Sequence, residues 1–210
     1  MKQWIIIVNV YAASKKAGLL WRNAERLLRK RGVSYQCRFT GTDGNACELA
    51  RKAAEQGFRR IVAVGGDGTV HDVLNGIMNY VDAEKQKGLD ICLDEFTLAV
   101  LPMGSGNDWI RSTGVPRGIR GAISLIEAES FVRQDVVRAS LLDSDGSVKS
   151  SSYMVNIGVR TMSSAIIQVP TFVERKCTVR YSTSVISISN SMEVVSLSTL
   201  GVAARKSSPS

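Results

Sequence analysis

Residues suited to metal centres and cross-links are scarce in this 210-residue sequence. It has one histidine, His71, and four cysteines (Cys37, Cys47, Cys92 and Cys177), none in C-x-x-C spacing. That argues against a Cys/His zinc site. A chain of this length buries a sizeable core without staples, and scattered free cysteines suit a reducing cytoplasm. No run reaches the roughly 18 apolar residues of a membrane span, and the start, MKQWIIIVNV, is too short for a secretory h-region. There is no G-x-x-x-x-G-K-[ST], so an ordinary P-loop is excluded. Basic clusters interleaved with aromatics are also missing, which disfavours a nucleic-acid partner. At 44% hydrophobic and 22% charged, with mean hydropathy +0.02, the composition excludes collagen-like, low-complexity and wholly disordered chains.

The net charge is +8, from 27 basic and 19 acidic residues. Such a balance fits phosphorylated ligands, an anionic membrane surface or an ordinary solvated surface. Arg29-Lys30-Arg31 and Arg59-Arg60 fall near predicted helix ends, where cations also suit the helix dipole.

The first 155 residues alternate between two periodicities. WIIIVNV at 4–10 reads as a strand buried on both faces. Residues 18–31 read as a helix with Leu20, Ala24, Leu27 and Leu28 inward. A strand at 35–39, a helix at 45–56, a strand at 60–64 and a helix at 69–79 follow. The polar stretch 82–95 leads to a strand at 96–101, a short helix near 118–128, and strands at 131–142 and 148–155 about an Asp145-Gly146 turn. Strands and helices alternating at this spacing predict an α/β fold, an open parallel sheet flanked by helices.

Two glycine turns carry the chemistry. Gly65-Gly66-Asp67-Gly68-Thr69 lies between a buried strand and a helix, where open α/β sheets bind ligands. Glycines let the backbone approach a phosphate, and the helix start offers N–H groups to an anion. Asp67 can hold a water or magnesium facing a triphosphate, and Thr69 can donate to a phosphate oxygen. A tight turn with a helix cap is the alternative. Leu101-Pro102-Met103-Gly104-Ser105-Gly106-Asn107-Asp108 repeats the arrangement, so two turns converge on one crevice, with Asn107 and Asp108 also placed to cap the next helix. Thr40-Gly41-Thr42-Asp43-Gly44 is a weaker third turn, better read as an Asp-Gly turn with an N-cap. His71, one turn into the helix, fits a surface or cap residue better than a catalyst.

These motifs resemble the catalytic domain of the diacylglycerol kinase and sphingosine kinase superfamily, nearest its bacterial lipid kinase branch. GGDGT at 65–69 runs into His71, Asp72 and Asn75-Gly76, and LPMGSGNDW at 101–109 matches the second family motif. GGDGT also occurs in NAD kinases, but the second motif points to the lipid kinases. The resemblance covers about residues 2–157. It implies transfer of a phosphoryl group from Mg-ATP to a lipid hydroxyl, with cytoplasmic location and peripheral contact at the inner membrane face. It implies nucleotide contacts at Thr40, at Gly66, Asp67, Gly68, Thr69, Val70, His71 and Asp72, and at Ser105, within turns that include Gly65, Gly104, Asn107 and Asp108. Asn9 stands where the family has Asn-Pro, but Val10 follows it here. Asp67 is the residue expected to organise magnesium and phosphates. Phosphoryl transfer agrees with this, since it asks for positioning and charge neutralisation.

The resemblance stops near Gly158. The family continues with Gly-x-Gly-x-Asp and a β-rich lobe that supplies an acidic base and the lipid site, whereas here Val159-Arg160-Thr161 follows. Residues 156–210 hold twelve of the 24 serines, none of the ten aspartates and two of the 18 glycines. We expect a kinase-like nucleotide domain at 1–157 and a Ser-rich aberrant or poorly ordered tail at 158–210, with the reading frame shifting near Gly158. A genuine tail is the alternative. The functional alternatives are a non-catalytic nucleotide-binding module and an NAD kinase.

Overall fold

The computed structural model describes residues 3–12, 17–41, 45–142, 147–155, 178–181 and 196–198. Four parallel strands form its centre: β1 (Trp4–Val8), β2 (Tyr35–Phe39), β3 (Arg60–Gly65) and β4 (Thr97–Pro102), in the order β2-β1-β3-β4. Every residue of β1 and β4 is buried, as is β3 beyond Arg60, which explains their unbroken apolar runs. β2 lies at the sheet edge and has no fully buried residue. The sheet is extended by β8 (Thr178–Tyr181) beside β4 and by β5 (Val132–Asp135), antiparallel to β8.

Helices α1 (Ala17–Lys30), α2 (Ala46–Glu55), α3 (Asp67–Gln86), α4 (Asp108–Thr113) and α5 (Ile119–Glu127) connect and flank the strands. Arg31, just beyond α1, donates to Ser124 Oγ and Glu127 Oε2 of α5 at 2.6 and 2.9 Å. α2 packs on α3 through small residues. A Cβ on Gly76 would stand 2.1 Å from the Cys47 carbonyl oxygen and 2.7 Å from Ala50 Cβ, so the helices approach closely only because position 76 has no side chain. A second sheet holds β7 (Val148–Met154), β6 (Val137–Leu142) and β9 (Ser196–Ser198), with β6 and β7 antiparallel.

Several sequence expectations shift. The helix predicted over 69–79 starts at Asp67 and runs to Gln86, because Tyr80 and Val81 extend its buried stripe until Gly88 ends the turn at φ +81°. In α1 the inward stripe is Trp21, Ala24 and Leu28, with Leu27 half-buried against the core. Leu20 is exposed, because the bulkier indole takes the core position and turns its neighbour outward. The strand predicted over 131–142 divides at the buried Val136 into β5 and β6, which join different sheets. The Asp145-Gly146 turn, Thr42, Asp43 and Gly44, and the predicted tail apart from β8 and β9 lie outside the described residues.

Candidate functional site

The carboxyl ends of the four parallel strands are tied edge to edge. The Thr40 amide donates to the Val8 carbonyl at 3.0 Å, Asn9 to Val64 at 2.9 Å, and Met103 to Gly65 at 2.8 Å. The register therefore carries the turns after β1, β2, β3 and β4 to one end of the sheet, and the two glycine turns meet there. A Cβ on Gly104 would lie 2.4 Å from Gly66 Cα and 2.6 Å from Asn107 Oδ1. The two backbones touch in a way that only glycine permits.

The glycines divide their work differently from the expectation of a shared phosphate cradle. Gly65 makes room for a side chain of its own helix, since a Cβ there would fall 2.2 Å from Thr69 Oγ1. Gly66 and Gly104 make room for each other. Gly68 alone faces open space, with nothing within 4 Å of the position its Cβ would take. It is the second residue of the 20-residue α3, and Gly66 supplies no side-chain cap. The first-turn N–H groups of α3 beneath Gly68 are therefore suited to an external anion.

Asp67 has a definite structural task. Its Oδ2 accepts the amide of Asp108 at 3.0 Å and its Oδ1 accepts that of Trp109 at 3.1 Å. It thus caps α4 from across the crevice, where sequence spacing had placed Asn107 or Asp108 as local caps. Asn107 instead takes the left-handed conformation, φ 54°, with its Nδ2 donating to the Gly104 carbonyl at 2.8 Å. Asp108 accepts from Arg111 at 2.9 Å. On the other side of the first turn, Asn9 Nδ2 donates to Thr69 Oγ1 at 3.0 Å, and Asn9 Oδ1 accepts the Tyr11 amide, which closes the turn that follows β1 without proline. Asn9, Gly65, Gly66, Asp67, Thr69, Gly104, Asn107 and Asp108 are thereby one connected unit.

Two buried oxygens of the site have no partner: Thr40 Oγ1, in a residue 4% exposed, and Asn107 Oδ1. A buried unpartnered oxygen is costly, and that of Asn107 packs against the junction of Gly66 with Gly104. Ser105 is exposed on the second turn. Asp72 is half-buried, and burial raises its carboxyl above the usual range, opposed by the nearby His71. A cleft of about 270 Å³ opens beside the first turn, walled by Asp67, Gly68, Val70 and His71, by Trp109 of α4, and by Met154 and Val155. No hydrogen bond links Thr40, Ser105 or Asp72 to the connected unit through its side chain among the described residues.

The arrangement fits a polyphosphate with its metal. Among the described residues no three His, Cys, Asp or Glu side chains form a metal cage. Magnesium commonly takes one or two carboxylates with substrate phosphates, a pattern that Asp67, which walls the cleft, can serve. Asp67 does so while capping α4, since a carboxylate has about four lone-pair positions and two are used here. Sequence reasoning missed the pairing of Trp109 with Gln134, whose Oε1 accepts the indole N–H at 3.2 Å. The run Asp108-Trp109 hinted at an anchor, but the partner on β5 lies 25 residues away and carries no local signal.

Comparison with known proteins agrees with this geometry. The diacylglycerol kinase catalytic domain profile matches residues 3–139. The Bacillus subtilis protein named "Putative lipid kinase YtlR" is 27% identical over 166 residues, 76% of this chain and 48% of that protein. The Escherichia coli protein named "Probable lipid kinase YegS" is 29% identical over 119 residues, 57% of this chain and 36% of that one. A crystal structure of a diacylglycerol kinase from Bacillus anthracis superposes with TM-score 0.51 at 27% identity, over 65% of this chain and 43% of that one. The chain spans about half, or less, of the length of these relatives. With both glycine turns inside the matched segment and meeting at the strand ends, the chain belongs to the diacylglycerol kinase catalytic domain family.

Proposed function

We propose that this chain is the nucleotide lobe of a lipid kinase, which binds Mg-ATP in the cleft beside its two joined glycine turns for transfer of the γ-phosphoryl group to a lipid hydroxyl. The observation that carries the reading is the junction of Gly66 with Gly104, beside the open α3 N-terminus at Gly68. The α3 amides and Gly68 receive the phosphates. Asp67 sets the distance between the turns and gives a carboxylate for magnesium. Bound ATP and magnesium supply the reactive phosphoryl group and the charge neutralisation on it. The residues do the rest by orientation.

Residues 1–157, with β8 added to their sheet, form this lobe on the proposed reading, and residues 158–210, with their loss of aspartate and glycine, are not the lobe that takes the lipid in the family. The acceptor is a diacylglycerol-like lipid reached at a membrane surface without a spanning helix. Among the described residues no helix is long and apolar enough to cross a membrane.

Calorimetric titration of the 210-residue chain with ATP, with and without magnesium, tests the reading. Saturable, magnesium-dependent binding is expected. Its absence would overturn the proposal. Transfer of labelled phosphate to diacylglycerol in vesicles would show that the chain also turns over, and NADP formation from NAD and ATP would point to the NAD kinase alternative instead.

A further inference from the structure

The end of β7 is held by two side-chain amides from different parts of the nucleotide lobe. Asn75, two turns into α3, donates from Nδ2 to the Tyr153 carbonyl and accepts the Tyr153 amide on Oδ1, both at 2.8 Å. The side chain thus pairs with the backbone as a neighbouring strand would. Asn75 Nδ2 also reaches the His71 carbonyl at 2.8 Å, and Ser152 Oγ donates to Asn75 Oδ1 at 3.2 Å. Two residues further along the strand, Gln134 Nε2 donates to the Val155 carbonyl at 2.8 Å, while its Oε1 accepts the Trp109 indole N–H at 3.2 Å. Met154 sits between the two clamps. It and Val155 wall the cleft above Gly68.

We propose that Asn75 and Gln134 are positioning residues of the nucleotide site. Neither lines the cleft, yet together they fix Tyr153–Val155 to α3 and, through Trp109, to α4, the helices that begin at the two glycine turns. The wall over Gly68 is therefore set in place before the nucleotide arrives, and affinity depends on both amides. The inference rests on the reading of the crevice as a Mg-ATP site. A carboxylate at either position keeps the acceptor and removes the donor, with little change in volume.

The test is calorimetric titration of Mg-ATP into the full chain and three variants, well below the unfolding temperature of each. Gln134→Glu, which loses one donated hydrogen bond, should weaken binding by about tenfold, and Asn75→Asp, which loses two and turns a carboxylate toward the Tyr153 and His71 carbonyls, by at least as much. Asp82→Ala removes the acceptor of the Tyr153 hydroxyl, a 2.8 Å bond between the same strand and the far part of α3. It should lower the unfolding temperature and keep the wild-type affinity. Equal affinity in Asn75→Asp, Gln134→Glu and wild type would overturn the positioning role. So would an equal loss in Asp82→Ala, because the effect would then be general loosening of the strand. A wild-type chain that binds no Mg-ATP would overturn the crevice reading itself, and this inference with it.

Discussion

Asp67 and Trp109 stand 42 residues apart, and the carboxylate of the first accepts the backbone amide of the second at 3.1 Å. With the companion bond to Asp108 at 3.0 Å, Asp67 uses both oxygens to hold the start of α4. Asp67→Asn would retain one acceptor and turn an NH2 group toward the other amide. The expected loss of stability is about 1–2 kcal/mol, the range of a helix cap, accompanied by weaker Mg-ATP binding. Urea unfolding read beside a nucleotide titration checks both. Wild-type stability with abolished binding would assign Asp67 to the ligand alone and remove its structural role.

The contrast between Gly104 and Gly68 separates turns that serve the fold from a turn that serves a ligand. Gly104→Ala drives a Cβ to 2.4 Å from Gly66 Cα, a backbone atom that cannot swing aside. About 1–3 kcal/mol of destabilisation is expected from overpacking. Gly68→Ala meets nothing within 4 Å and sits in a helix, so it should leave stability unchanged or raise it by about 0.5–1 kcal/mol. It should nevertheless reduce Mg-ATP affinity, because the added methyl occupies the surface offered to phosphate. Thermal unfolding and titration of both variants decide the matter; a Gly68→Ala protein with unaltered affinity would place the phosphates elsewhere.

The strands that carry the crevice were legible because β1, β3 and β4 are buried on both faces and their apolar runs have no competing reading. The glycine turns were legible for the same reason, as each breaks such a run. What each glycine does was not. Gly65 answers to Thr69 in its own helix, and Gly66 answers to Gly104, which lies on another strand end. The cap of α4 was assigned to its nearest polar residues, yet it comes from Asp67, because Asn107 turns into the left-handed region and bonds backward to Gly104. Long-range partnerships of this kind depend on strand order, which local periodicity does not encode. The same holds for Gln134, whose two partners come from α4 and from the end of β7.

Cys37, on the edge strand β2, is pushed up to about 12, first by burial and then by the charge of Glu25. An ordinary cysteine has a pKa near 8.5, and only the thiolate is nucleophilic. At pH 8 the thiolate fraction, and with it the rate of alkylation, should fall by roughly a thousandfold against an unfolded control. Iodoacetamide labelling followed by peptide mass spectrometry reads this directly. Labelling of Cys37 in the folded chain at the rate of a denatured sample would show that its half-buried position does not raise the thiol.

Asp72 lies one residue beyond His71 in the first turns of α3, and burial raises its carboxyl while His71 pulls it down. A raised value means that the folded chain holds this proton more tightly than the unfolded chain, whose aspartates titrate near 3.9. The group's stabilising contribution is therefore complete below about pH 3.9 and is lost as the pH rises through the folded value. At neutral pH the ionised, half-buried carboxylate burdens the fold. Asp72→Asn removes that burden and keeps the shape. Its unfolding temperature should exceed that of wild type at pH 7, and the gap should shrink as the pH falls and the wild-type carboxyl takes up its proton. Calorimetric scans between pH 4 and 8 without nucleotide provide the comparison. A gap independent of pH would mean that ionisation of Asp72 has no bearing on stability. A lower unfolding temperature for the variant at pH 7 would mean that the carboxylate has a favourable partner in the folded chain.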